Sequence, residues 1–219
     1  IWLEEGLRVA LRKGIWKIYK WVLEHGGSFI YEKVKKKKAF SRTSFIQIPE
    51  LSHPPSLAKH QSKVEIIICV HNALKYVAQC LESVVRYTSP PYSLILVDDG
   101  SDEETKKFLE EFAQTQNAVL IRNERPKGYT YAANQGLRKA QADYIVLLNS
   151  DTIVTPGWLD RMIACAESDP KIGLVGPLSN SASWQSIPKV FNEEGDDWAE
   201  NPLPDGMTPA EMSKLVAKY

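Results

Sequence analysis

Apolar and polar residues along this chain follow two periods in turn, and the order of those periods sets the fold class. Residues 64–70 (Val-Glu-Ile-Ile-Ile-Cys-Val) hold a single charge, the texture of a strand covered on both sides in a parallel sheet. From Leu74 the period lengthens, and Leu74, Val77, Ala78, Leu81, Val84 and Val85 share one face of a helix that must stop before Pro90-Pro91. Residues 94–97 predict a second strand, which runs into Asp98-Asp99-Gly100-Ser101. Ser101 and Glu104 have capping-box spacing and open a helix carrying Phe108, Leu109 and Phe112. A short third strand is expected over 119–122. After the loop 123–128, a helix over 129–140 presents Ala132, Ala133 and Gly136, small enough to lie close against a sheet. Residues 144–148 contain no charge and read as the central strand, buried on both faces and broken off by Asn149-Ser150-Asp151. Thr155 and Pro156 predict the start of a helix burying Leu159, Met162, Ile163 and Ala166, and residues 172–175 predict a fifth strand. Strands alternating with helices of this length give a Rossmann-like α/β domain, with a mainly parallel central sheet, right-handed crossovers and flanking helices.

The chain on either side has a different texture. Within residues 1–40, Leu3, Leu7, Leu11, Ile15, Ile18 and Val22 recur at helical spacing, with Trp2, Trp16, Tyr19 and Trp21 set among Arg8, Arg12, Lys13, Lys17 and Lys20. Such a basic amphipathic helical segment fits a peripheral contact with an anionic membrane surface, or equally a helix packed on a neighbouring domain. Residues 41–63, with prolines at 49, 54 and 55, read as a linker, which leaves 64–219 as the folded domain. Beyond Pro177 periodicity fades. It returns where Thr208, Pro209 and Glu211 predict a last helix with Met212, Leu215, Val216 and Tyr219 on one face. An apolar helix face with so few strands behind it leads us to expect a domain incomplete at its C-terminus.

Composition is that of an ordinary globular chain, 43% hydrophobic and 25% charged, with a formal net charge of zero. The zero conceals an asymmetry, because Lys and Arg strongly outnumber Glu in the first forty residues and acid prevails after them. Cys69, Cys80 and Cys165 form an odd set without metal-ligand spacing and read as small core residues in a reducing compartment. No stretch reaches the roughly 20 apolar residues of a membrane span. A cytoplasmic protein is therefore expected, held against the inner membrane face if the basic segment binds lipid, with no nucleic-acid partner.

Three predicted strands end in oxygen- or nitrogen-bearing side chains: His71-Asn72, Asp98-Asp99-Gly100-Ser101 and Asn149-Ser150-Asp151. In a parallel sheet these ends open on one edge, where open α/β sheets bind ligands. The segments Val70-His71-Asn72, Val97-Asp98-Asp99-Gly100-Ser101, Gly128 through Asn134-Gln135-Gly136, and Leu148-Asn149-Ser150-Asp151 resemble the successive motifs of family 2 glycosyltransferases of the GT-A fold. The resemblance spans about Val64 to Pro177. It implies inverting sugar transfer from a nucleotide-diphosphate sugar to a glycan or lipid-linked acceptor, with Mn2+ or Mg2+ as cofactor. The members it looks most like are rhamnosyltransferase-like enzymes of bacterial polysaccharide or O-antigen assembly. Breaking a sugar–phosphate bond leaves a more negative diphosphate, and a hard cation stabilises that charge.

The resemblance also implies roles for individual residues. Asp151 matches the last position of the family's Asp-x-Asp metal motif, while Asn149 replaces the first aspartate, so the ion should bind weakly without the diphosphate. Asn149 would then reach the ribose or a metal-bound water, with Ser150 beside it, or serve as a strand-end turn residue. Asp99, or its neighbour Asp98, resembles the carboxylate that accepts a hydrogen bond from the base, which favours UDP- or dTDP-sugars; Asp98 fixing the loop is the alternative. Val70 would touch the base through its backbone, with His71 and Asn72 adjacent, His71 being equally a structural hydrogen-bonder. Lys127 and Gly128 precede a helix and would face the diphosphate, unless Lys127 is simply solvated. Asn134 resembles an asparagine near the sugar, or braces its helix.

No counterpart of the family's general base, often in a Glu-Asp pair, appears in the sequence, and the acidic loop holding Glu193, Glu194, Asp196 and Asp197 reads as solvated. The chain is thus expected to supply the donor site and by itself to transfer little. Gly-x-Gly-x-x-Gly and Gly-Lys-Ser/Thr loops are absent, which excludes dinucleotide dehydrogenases and P-loop enzymes. The remaining alternative is a non-catalytic membrane- or partner-binding module built on a relic nucleotide-binding sheet.

Overall fold

The computed structural model describes residues 62–216, apart from Ser183 and Glu194. The segment expected over 1–40, all but the last two residues of the linker, and Tyr219 lie outside the described residues. In chain order the elements are β1 (Val64–Val70), α1 (Leu74–Tyr87), β2 (Tyr92–Asp99), α2 (Glu103–Gln116), β3 (Val119–Asn123), α3 (Tyr129–Lys139), β4 (Tyr144–Asn149), α4 (Trp158–Glu167) and α5 (Pro209–Val216).

The four strands form one parallel sheet in the order β3-β2-β1-β4. Side chains alternate across β1. Ile66, Ile68 and Val70 meet Val77, Leu81 and Val84 of α1, Leu109 of α2, and Leu159 and Ile163 of α4, whereas Ile67 packs on the other face with Ile95, Val97 and Ala132 of α3. Ile66, Ile68, Leu81 and Leu96 are completely enclosed. Each such side chain contributes about 1.5–3 kcal/mol of burial. The small residues of α3 serve the close approach expected of them, since a Cβ on Gly136 would sit 2.4 Å from Ile67 Cγ2.

Helix ends follow from local chemistry, not always at the expected residue. Asp102, not Ser101, caps α2, its carboxylate accepting from Thr105 N at 2.8 Å, because Ser101 is consumed by the strand-end loop described below. Glu103 and Glu104 then sit in the first turn, favourable to the helix dipole. Thr155 and Pro156 do not start α4. They form a turn through Gly157, at φ 70°, and the Thr155 hydroxyl bonds Ser213 of α5 instead. The last helix begins as read, with Thr208 Oγ1 accepting from Glu211 N while Glu211 Oε2 accepts from Thr208 N at 2.8 Å, a reciprocal capping box.

Two further expectations need correction. Residues 172–175 form no strand: Gly173 interrupts the run, no ladder partner lies alongside among the described residues, and Leu174 is 92% exposed. β4 is neither central nor covered on both faces. It lies at the sheet edge, and α3 covers β1 and β2, so Ile145 and Leu147 are left 42% and 46% exposed. Among the smaller differences, Val85 turns to solvent on α1, and of the three free cysteines Cys80 is buried, Cys69 half-buried and Cys165 exposed.

Candidate functional site

Strand register brings the polar strand ends level. Val70 pairs with Asp98, Cys69 with Asn149, and Asp99 with Asn123, so His71-Asn72, Asp98-Asp99 and Asn149-Ser150-Asp151 all leave the sheet at its C-terminal edge. β1 has β2 on one side and β4 on the other; α1, which leads from β1 to β2, packs on one face of the sheet, and α3, which leads into β4, packs on the opposite face. The crevice between the ends of β1 and β4 is therefore the topological switch point of the sheet, where such folds bind ligands.

On the β1–β2 side the loops are tied to one another. Asn72, at φ 57°, donates its N–H to Ser101 Oγ at 2.9 Å, and its Oδ1 accepts from Asp102 N at 2.8 Å. His71 Nδ1 lies 3.0 Å from the Asp99 carbonyl, which can only accept, so Nδ1 carries the hydrogen. Asp98 is fully enclosed and accepts from Ser101 N at 2.9 Å and from the Arg122 guanidinium, whose other nitrogen donates to Ser101 O at 3.0 Å. Gly100 adopts φ +71° and lies so close to the next loop that a Cβ would come within 2.7 Å of the Arg125 and Pro126 backbone.

Asp99 faces the other way and organises the approach to α3. It is 4% exposed and accepts from Asn123 Nδ2 at 2.8 Å, Lys127 N at 2.9 and 3.0 Å, and Gly128 N at 2.7 Å. Burial pushes its pKa up, but the hydrogen bonds from Asn123, Lys127 and Gly128, with His71 nearby, outweigh burial and hold it below the usual carboxylate value. Asn123 and Gln135 exchange two hydrogen bonds, at 2.8 and 3.0 Å, and so fix Asn123 against Asp99. Gly128 caps α3 at φ 90°, and the Lys127 ammonium lies over the Tyr131 ring, 4.5 Å from its centroid, rather than loose in solvent. Asn134 is exposed and donates to Thr130 O at 2.8 Å, so it does not brace α3 against the sheet; Ala132 and Gly136 do that.

The β4 side is built differently. Asn149 is exposed and its carbonyl receives Thr152 N at 3.2 Å and the Cys80 thiol at 3.5 Å, while Val154 N donates to Ser83 Oγ at 3.1 Å. The turn is thereby fastened to α1. Burial, with the Asp151 charge adding, pushes the Cys80 thiol up to about 12. Asp151 is exposed and its carboxylate has no hydrogen bond or ion pair among the described residues. No group of three His, Cys, Asp or Glu residues gathers there among the described residues. One unengaged carboxylate at a switch point, with Ser150 beside it, fits a hard cation whose remaining ligands come from a diphosphate, and not a cage closed by protein alone.

Arg122, Asn123, Gln135 and Cys80 escaped the reading of the sequence as contributors. Asn123 carried a signal, since it ends its strand in a polar side chain as Asn72 and Asn149 end theirs. Arg122 carried another, as a cation closing a short apolar strand, and it pairs directly with Asp98 on the neighbouring one.

A parallel sheet with its polar strand ends gathered at the switch point defines a Rossmann-like α/β domain of the GT-A kind. The chain belongs to glycosyl transferase family 2, whose profile matches residues 65–206. It is 26% identical over 134 residues to a glucosyl-dolichyl phosphate glucuronosyltransferase of Haloferax volcanii, covering 60% of this chain and 43% of that protein. It is 28% identical over 156 residues to glycosyltransferase GlyG of Streptococcus pneumoniae, covering 63% and 52%. It is 25% identical to a poly-beta-1,6-N-acetyl-D-glucosamine synthase of Staphylococcus epidermidis, covering 67% and 34%. The chain thus spans about half or less of the length of these relatives. In fold it is similar to the Pyrobaculum calidifontis mannosyltransferase PcManGT, solved in complex with GDP-Man and Mn2+, with a TM-score of 0.51 at 20% identity over 55% of this chain and 36% of that one.

Proposed function

We propose that the protein transfers a sugar, with inversion, from a nucleotide-diphosphate sugar to a glycan or lipid-linked acceptor, and that residues 64–177 supply the donor site. One observation carries this reading: the register that levels Val70, Asp98 and Asn149-Asp151 across the switch point. The base lies against the Val70 backbone, with His71 and Asn72 beside it. Asp99, rather than Asp98, is the carboxylate that meets its N–H. Asp98 is enclosed by Arg122 and Ser101, whereas Asp99 takes the Lys127 N–H across both of its oxygens, at 3.0 and 2.9 Å, and a base N–H takes up the position released when Lys127 settles on one of them. An N–H donor facing a carboxylate is the pattern of uracil and thymine, which favours UDP- and dTDP-sugars.

The diphosphate passes the N-terminus of α3, where Gly128 leaves the backbone open on its Cβ side and Lys127 adds positive charge. Asp151 holds the divalent ion, Mn2+ or Mg2+, with Asn149 and Ser150 at the ribose or at ion-bound water. When bound, the ion offsets the charge that builds on the departing diphosphate. Asn134, exposed one turn into α3, is placed to meet the sugar. No described helix is long and apolar enough to cross a membrane. A nucleotide-sugar donor and free thiols support a cytoplasmic setting, at the membrane's inner face if the basic first segment binds lipid.

The test is calorimetric titration with UDP, dTDP and GDP, with and without Mn2+. Binding of UDP or dTDP that strengthens with Mn2+, and falls to its metal-free level in Asp151→Ala, is the expected result. Because Asp151 is exposed and has no hydrogen bond or ion pair among the described residues, that variant should unfold within about 0.5 kcal/mol of the parent. Failure of all three nucleotides to bind, with or without metal, overturns the reading in favour of a non-catalytic module.

A further inference from the structure

The segment after α4 holds an aromatic cluster that the donor site does not use. Trp184, Phe191 and Trp198 gather with ring centroids 5.1–5.6 Å apart, yet they remain 71%, 43% and 42% exposed. Three rings in contact would ordinarily form the inside of such a loop. Here the inside is polar. Asn201, only 8% exposed, donates to the carbonyls of Asn180 and Lys189 at 3.0 and 2.9 Å and accepts from Lys189 N at 3.1 Å. A second asparagine, Asn192, accepts from Gly195 N at 2.7 Å, and backbone bonds Asn192 N to Asp197 O and Ala199 N to Val190 O hold Phe191 opposite Trp198. The polar network fixes the loop and frees the rings to face outward.

Ring geometry and charge narrow the ligand. Phe191 and Trp198 stack on each other at 18°, and Trp184 meets both edge-on at 87° and 72°. Closed against one another in this way, the rings form no cage around an open centre, as a quaternary cation requires. They leave the outward face of Trp184 as a flat platform. Between residues 178 and 206 the sequence has one lysine, Lys189, against Glu193, Glu194, Asp196, Asp197, Glu200 and Asp205. That acidic surround repels phosphates, anionic lipid and nucleic acid. It suits a neutral ligand with hydroxyl donors and an apolar face. The geometry points to a binding platform for the neutral pyranose rings of a glycan, with C–H groups laid on Trp184 and hydroxyls donating to the neighbouring carboxylates. As a glycan-binding site it stands independently; as the place where the acceptor is held it rests on the sugar-transfer reading.

The experiment uses the full chain labelled with 15N and follows the indole N–H signals of Trp184 and Trp198, assigned by single Trp→Phe changes. Cellotetraose, chitotetraose and maltotetraose are each titrated to millimolar concentration, beside tetramethylammonium and phosphatidylglycerol vesicles. At least one tetrasaccharide should shift both signals, and Trp184→Ala, at an exposed position, should weaken that binding by about tenfold with the remaining spectrum unchanged. The proposal is overturned if no tetrasaccharide moves these signals, if the movement survives Trp184→Ala, or if the cation or the vesicles move them and the sugars do not. UDP, dTDP and GDP, each with and without Mn2+, are titrated on the same samples. A bound donor with a silent platform overturns the platform alone, and a responding platform without donor binding overturns the sugar-transfer reading alone.

Discussion

Replacing Arg122 by methionine keeps an unbranched apolar stem and deletes the charge that faces Asp98. Asp98 has no solvent exposure, and once the guanidinium is gone its carboxylate keeps only Ser101 N as a donor. Removing one member of a buried pair costs about 3–5 kcal/mol, because the other is left charged and desolvated. Arg122 is 27% exposed, so water already screens part of the pair and the lower bound applies, about 3 kcal/mol. Converting Asp98 to asparagine in the same chain removes the stranded charge, and the double variant should recover to within about 1–2 kcal/mol of the parent. Urea unfolding followed by circular dichroism reads both. With a slope of about 2 kcal/mol per M, Arg122→Met should lower the midpoint by about 1.5 M, and the double variant should regain about 0.5–1 M of that. Nucleotide titration then separates the two roles considered for Asp98. If it only fixes the loop, the folded double variant binds UDP within about threefold of the parent. A cost under about 1 kcal/mol for Arg122→Met, or a double variant no more stable than the single, refutes the reasoning.

Two further outcomes follow from the titrating groups. Asp99 has a lowered pKa in the folded chain, so its stabilising contribution is complete above the unfolded value of about 3.9 and is lost as pH falls below that through the native value. The urea midpoint should therefore drop on acidification below about pH 4, and Asp99→Asn should flatten that limb; an unchanged slope refutes the assignment. Thiol labelling under native conditions should modify exposed Cys165 first. Cys69, raised to about 11 chiefly by burial, should react slowly, and Cys80, raised to about 12, only on unfolding; early loss of the Cys80 thiol would contradict its packing under the β4 turn.

The sheet was legible in the sequence where burial is two-sided. β1 and β2 have nearly uncharged interiors, and their ends were read to within two residues. Periodicity fails where tertiary contacts decide. The charge-free run of β4 looked central, yet nothing in its composition tells that α3 stops short of it and leaves Ile145 and Leu147 bare. Ile-Gly-Leu-Val at 172–175 has strand chemistry without a ladder partner. Helix starts slipped for a related reason. Ser101 and Thr155 are good capping residues by type, but Asn72 and Ser213 claim their hydroxyls from far along the chain. At the site, the strand-end residues that could be found are those that end a run. Arg122 and Asn123 act across strands and Gln135 between α3 and β3, and pairing between elements is not written in either element alone.

The unequal fastening of the two sides of the crevice bears on how such a domain diversifies. One jaw is a closed circuit, in which His71, Asn72, Asp98, Ser101 and Arg122 hold each other, so exchanging any of them disturbs the rest. The other jaw hangs from α1 through Cys80 and Ser83, its acidic tip without a hydrogen bond or ion pair among the described residues. Drift in descendants of this chain should therefore run fastest at 149–151, while the half built on the ends of β1 and β2 is inherited as a block.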